Sequence, residues 1–101
     1  ARLRLPIIPD CCESNYHAFS IRLSNPEAAD AVREQLNERG IQAVIHYVPL
    51  HDSPMGKKLG YAPQDLPVTV HEAGSLLRLP LHNQISAADI ARVVAELHSA
   101  I

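Results

Sequence analysis

Tyr16-His17-Ala18-Phe19-Ser20-Ile21-Arg22-Leu23-Ser24-Asn25-Pro26-Glu27 is the stretch from which the fold is read. Through Leu23 it alternates, with His17, Phe19, Ile21 and Leu23 on one side and Tyr16, Ala18, Ser20 and Arg22 on the other. That is the period of a strand with one face buried. The spacing predicts a strand over Tyr16 to Leu23. Ser24 to Glu27 then changes the period: a small polar residue caps a helix, and proline is tolerated in a helix's first turn. Ala28, Ala31, Val32 and Leu36 follow at helical spacing. Gly40 stands where a glycine commonly ends a helix.

Working outward, Ile41, Ala43, Ile45 and Tyr47 alternate against Gln42, Val44 and His46, which predicts a second strand over Ile41 to Tyr47. Pro49 ends it, because proline cannot donate to a ladder. Ser53 to Leu59 has room for one or two helical turns, Gly60 to Pro67 reads as a loop, and a short helix is expected around Val68 to Ser75. Leu76-Leu77-Arg78-Leu79 is a brief apolar strand stopped by Pro80. Ser86 and Asp89 resemble a capping box, with Ile85 and Ile90 at the staple positions around it. Ile90, Val93, Val94, Leu97 and Ile101 form one stripe and predict a last helix facing a core. In the other direction, Ala1 to Ser14 holds Pro6, Pro9, Cys11 and Cys12, has no sustained period, and reads as an extended arm or linker that begins as if cut from something longer.

The predicted order is strand, helix, strand, helix, strand, helix. Short elements with short links imply an α+β fold in which a small, mostly antiparallel sheet is covered on one face by helices. A chain of 101 residues with 47% hydrophobic and 20% charged side chains matches one globular domain. It is long enough to bury roughly 60 to 70% of its unfolded surface. The net charge of -2 comes with basic residues scattered from Arg2 to Arg92, which argues against nucleic acid as a partner. No apolar run approaches the roughly 20 residues of a membrane span and no signal peptide opens the chain, so the expected location is the cytoplasm. Adjacent Cys11 and Cys12 could bridge each other only through a strained ring and do not read as a disulfide framework.

Chemistry concentrates in His46-Tyr47-Val48-Pro49-Leu50-His51-Asp52-Ser53-Pro54-Met55-Gly56. Polar rings at a strand end, braced by prolines, make a platform from which imidazole or phenol can reach a ligand. A metal reading would take His46, His51 and Asp52 as ligands, without the helical placement of an H-E-x-x-H pair. A nucleophilic serine lacks its G-x-S-x-G elbow. Lys57 and Lys58 lie side by side in a polar turn and read as solvated charges; a Schiff-base lysine needs burial to lower its pKa.

The run His46-Tyr47-Val48-Pro49-Leu50-His51, followed by Ser53-Pro54-Met55-Gly56, is similar to the H-Y-x-P-L-H segment of the nucleotide-sugar aminotransferases, of the aspartate-aminotransferase fold type. Gly40-Ile41, Leu59-Gly60-Tyr61, Leu76-Leu77-Arg78-Leu79-Pro80-Leu81 and Ile85-Ser86 match that family's C-terminal region in order and spacing. The resemblance runs from about Pro9 to Ile101. It implies an arm over residues 1–14, a C-terminal small domain over residues 15–101, and a missing N-terminal large domain that holds pyridoxal phosphate (PLP) through its own lysine. Pro54 and Gly56 give the form most similar to enzymes that make dTDP-4-amino-4,6-dideoxygalactose from a dTDP-4-keto-6-deoxy sugar and glutamate. The resemblance further implies a homodimer in the full-length enzyme and an isolated chain that binds no cofactor and is inactive. His46, Tyr47 and His51 are the implied substrate-binding residues, with His17 a weaker candidate.

Two other readings remain open at this point. A stand-alone ferredoxin-like binding or regulatory module can be built from strand-helix-strand units of this size. A metal-dependent hydrolase using the His46 to Asp52 cluster is more distant.

Overall fold

Period-2 and helical stretches become, in this computed structural model of residues 3–101, β1 (Phe19–Arg22), α1 (Pro26–Glu38), β2 (Val44–Ile45), α2 (Pro54–Lys58), α3 (Pro67–Ser75), β3 (Leu76–Leu79) and α4 (Ala87–Ala100). Single 3-10 turns lie at Leu50–Asp52 and Pro63–Asp65. The strands form an antiparallel sheet in the order β1-β3-β2. Ile21 opposes Leu77, and Ile45 opposes Leu77 from the other side. Opposed residues share a face, so these three point one way while Ser20, Arg78 and Val44 point the other. Helices close on the first face: Ile21 and Leu77 meet Val32 and Leu36 of α1 and Leu97 of α4 in one buried cluster. The expected α+β layering is present.

The caps explain where the helices begin and end. Asn25 accepts a hydrogen bond from the Ala28 N–H at 2.8 Å, and Pro26 opens α1 without a missed donor. At the other end Gly40 N–H donates to Asn37 O and Ile41 N–H to Leu36 O, both at 2.9 Å. This pair of bonds is the Schellman arrangement, which needs the left-handed φ of 74° that Gly40 adopts. Leu36 and Ile41, both buried, make the apolar contact that goes with it. Ser86 and Asp89 form the expected box, with Asp89 N–H donating to Ser86 Oγ at 3.0 Å and Ser86 N–H to Asp89 Oδ2 at 3.1 Å.

Both outer strands are shorter than their alternation predicts. Tyr16 has φ of 50°, a region costly for any residue with a Cβ, so extended pairing starts only at Phe19. Before β2, the Asn37 side chain takes the place of a neighbouring strand: its amide donates to Ala43 O at 2.9 Å and its oxygen accepts from Ala43 N–H at 3.3 Å. Ile41 and Ala43 are buried as predicted, but a side chain rather than a ladder satisfies Ala43. The arm pairs with β1 where Arg4 and Arg22 exchange both backbone hydrogen bonds, and Leu3 packs against the core cluster.

The α4 stripe divides. Leu97 is buried and Val93 half-buried, whereas Ile90 and Val94 are 49% and 45% exposed. With Phe19, Leu79 and Ile85 they line an open apolar groove of about 230 Å³. The sequence reading sent the whole stripe to a core, and α1 covers only its Leu97 side.

Candidate functional site

The polar segment after β2 is braced at every step. Pro49 turns the chain into the 3-10 turn at Leu50–Asp52, and Asp52 N–H bonds back to Pro49 O at 3.0 Å. Ser53 then caps α2, accepting from Gly56 N–H at 3.1 Å and donating to Leu50 O at 2.6 Å. Its hydroxyl is spent on the backbone, which removes the nucleophile reading. A Cβ on Gly56 would stand 2.3 Å from Leu50 O and 2.5 Å from His51 O, so α2 packs on the turn at a distance only glycine permits.

Within this frame the structure brings His46 and Tyr47 together, ring centroids 4.8 Å apart and nearly edge to face. Tyr47 is 70% exposed. His46 is half-buried, and its Nδ1 is buried without a hydrogen-bond partner. His51 is 7% exposed, with Nε2 likewise unpartnered. Among the described residues no hydrogen bond or ring contact joins His51 to the other two. Among the described residues neither imidazole nitrogen has a hydrogen-bond partner.

Other candidates are engaged elsewhere. Asp52 pairs with Lys57 at 2.9 Å, and among the described residues no three His, Cys, Asp or Glu side chains converge as metal ligands would, which counts against the hydrolase reading. His17 Nδ1 bonds to Asn15 Oδ1 at 2.7 Å in an exposed turn. Cys11 and Cys12 are free, exposed thiols with sulfurs 3.9 Å apart. Arg22 is held by a two-pronged ion pair to Glu72, which raises the guanidinium's pKa and lowers the carboxylate's, chiefly through their mutual hydrogen bonds.

A Schiff-base lysine needs burial, and Lys57 and Lys58 are both exposed, the former already paired with Asp52. Among the described residues no helix is long and apolar enough to cross a membrane.

The chain is a small α+β fold with a braced polar turn and an open apolar groove. The chain belongs to the DegT/DnrJ/EryC1/StrS aminotransferase family, whose profile it matches over residues 2–98. It is 32% identical over 96 residues to the dTDP-4-dehydro-2,3,6-trideoxy-D-glucose 4-aminotransferase of Saccharopolyspora spinosa, covering 95% of this chain and 24% of that protein. It is 34% identical over 92 residues to the UDP-N-acetyl-3-dehydro-alpha-D-glucosamine 3-aminotransferase of Acidithiobacillus ferrooxidans, covering 90% and 24%. The crystal structure of a DegT DnrJ EryC1 StrS aminotransferase from Brucella abortus superposes with a TM-score of 0.77 at 31% identity, over 96% of this chain and 26% of that one. The chain spans about a quarter of the length of the curated relatives it matches.

Proposed function

We propose that this chain is the C-terminal small domain, residues 15–101 with an arm at 1–14, of a cytoplasmic, homodimeric, PLP-dependent aminotransferase. The enzyme would move an amino group from glutamate to a dTDP-4-keto-6-deoxy sugar. The observation that carries this reading is a family match along nearly the whole chain combined with a quarter's share of the relatives' length. Both relatives described above are named for amination of a dehydro sugar carried on a nucleotide. The 4-amino product is favoured by the Saccharopolyspora spinosa relative and by the Pro54 and Gly56 form of the turn.

PLP would supply the electron sink for amino transfer, and the exposure of Lys57 and Lys58, the two lysines of the chain, supports its attachment in the larger part of the enzyme. Tyr47 and His46 are proposed to contact the sugar nucleotide or orient the amino donor, and His51 to offer Nε2 once the cleft is closed. The domain's contribution is to wall the cleft and exclude water.

The test is a full-length enzyme carrying this chain, assayed with glutamate against a dTDP-4-keto-6-deoxy sugar and a UDP-linked 3-keto sugar. Higher kcat/KM for the dTDP substrate is expected. His46→Ala should lower kcat/KM roughly 5- to 150-fold with the cofactor's spectrum retained. Preference for the UDP sugar would move the substrate assignment, and wild-type kcat/KM in His46→Ala would reduce that residue to packing. The 101-residue chain alone, titrated with PLP, is expected to show no saturable visible absorbance; a saturable signal lost in Lys57→Ala would refute the large-domain assignment.

A further inference from the structure

Cys11 and Cys12 take part in none of the roles assigned above, and a turn sets how they sit. In extended chain, successive side chains point to opposite sides. Here Cys12 N–H donates to Pro9 O at 2.9 Å, closing a turn with Asp10 and Cys11 at its centre. The two sulfurs come within 3.9 Å of each other. Both thiols are free and exposed, and among the described residues each sulfur has the other as its hydrogen-bond partner.

That separation decides what can join them. A disulfide needs its sulfurs about 2.05 Å apart, and between neighbouring residues it closes a strained ring. Two bonds of about 2.3 Å from sulfur to a soft ion, meeting at a tetrahedral angle, span about 3.8 Å. The gap therefore suits one bridging atom better than a direct bond. A structural zinc ion would need a full tetrahedral set of ligands. Among the described residues no three His, Cys, Asp or Glu side chains converge, so the bridging atom has to bring its remaining ligand with it. Trivalent arsenic in an organoarsenical meets that condition: it is thiophilic, and two thiolates complete the valence that its carbon substituent leaves open.

We propose that Cys11 and Cys12 form a dithiol site that chelates trivalent organoarsenicals. With an arsine oxide, R–As=O, two As–S bonds form and the arsenic–oxygen bond breaks. Both thiol protons leave with that oxygen as water, and arsenic keeps its oxidation state. The second As–S bond closes within a single turn of chain, so the pair holds the arsenic far more tightly than either thiol alone.

The probe is phenylarsine oxide, titrated against the reduced full-length protein that carries this chain and followed by intact mass and peptide mapping. The expected adduct has lost water and maps to the peptide holding Cys11 and Cys12. Excess dimercaptopropanol should remove it, and a monothiol at the same concentration should not. Cys11→Ser and Cys12→Ser should each raise the apparent dissociation constant roughly 100-fold or more. Both positions are exposed, so an unshifted Tm is expected in either variant.

No adduct on this peptide would overturn the proposal, and so would single variants that bind as tightly as the wild type. Removal by the monothiol would overturn it too, because that marks attachment through one sulfur. The reversal experiment uses wild-type protein and decides the matter even where a variant's Tm shifts. The site does not depend on the aminotransferase reading: a protein that traps the arsenical yet aminates no nucleotide sugar would keep the site and lose only that reading.

Discussion

Phe19 to Ala43 and Val44 to Tyr61 adjoin in the chain and are held by different forces. In the first stretch Ile21, Leu23, Val32 and Leu36 are at most 2% exposed, and burial of their side chains is what fixes the backbone. In the second, Leu50 is 87% exposed and Tyr47 and Leu59 are each 70% exposed. Prolines, the Ser53 cap, the Gly56 contact and the Asp52–Lys57 pair hold that stretch instead. Local backbone chemistry can keep a turn rigid without spending its side chains on packing. It leaves the apolar side chains of Tyr47, Leu50 and Leu59 exposed.

The largest expected effect breaks the first region alone. Leu36→Ala, at a wholly buried position, should cost about 2–5 kcal/mol, while Leu50→Ala should stay within about 0.5 kcal/mol. Small domains are stable by only about 5–15 kcal/mol, so the first variant should move the urea midpoint of the 101-residue chain far more than the second. Equal losses would mean that the Leu50 turn is packed as a core and would erase the contrast.

Gly56→Ala attacks the second region through its backbone. With carbonyl oxygens of Leu50 and His51 inside 2.6 Å of the new Cβ, α2 or the turn must shift, at a cost of about 1–3 kcal/mol. Amide chemical shifts should change from Leu50 to Tyr61 and stay fixed around Ile21 and Leu36. Perturbation spreading into the core would show that the two regions are not independently held.

The same contrast explains what could be read from the sequence. Helix limits were legible because their signals are local: Asn25 and Pro26 before α1, Gly40 after it, Ser86 and Asp89 at α4. β3 was legible between Ser75 and Pro80. β2 was legible as a strand but not in its limits, since Ala43 is satisfied by Asn37, a partner six residues away whose amide reads in sequence as an ordinary helix-end polar residue. The α4 stripe revealed its own period but not which of its residues α1 would cover, and so the groove at Ile90 and Val94 was hidden. The candidate residues His46, Tyr47 and His51 came from the resemblance, and the edge contact of the His46 and Tyr47 rings shows only in the structure.

The smallest expected effect lies at the start of α4 and depends on pH. Asp89 Oδ2 accepts from the Ser86 hydroxyl at 2.6 Å and from the Ser86 N–H at 3.1 Å. The Ser86 side-chain bond first, then its backbone bond, hold the Asp89 carboxyl below its ordinary range, against a smaller opposing effect of partial desolvation. Glu72 is shifted the same way by Arg22. Both groups bind protons less readily folded than unfolded, so their contribution to stability is fully present above the unfolded values of about 3.9 for Asp and 4.3 for Glu and is lost as pH falls through the folded ones. Urea midpoints taken from pH 7 to pH 2.5 should therefore drop in acid. Asp89→Asn should begin lower at pH 7, fall less steeply, and meet the wild type at the acid end. Because Asp89 sits at an exposed helix start and its hydrogen bonds among the described residues go only to Ser86, its variant should leave Gly56→Ala effects additive. A slope unchanged by Asp89→Asn would assign the acid loss to the Arg22–Glu72 pair, and Glu72→Gln would then flatten it instead.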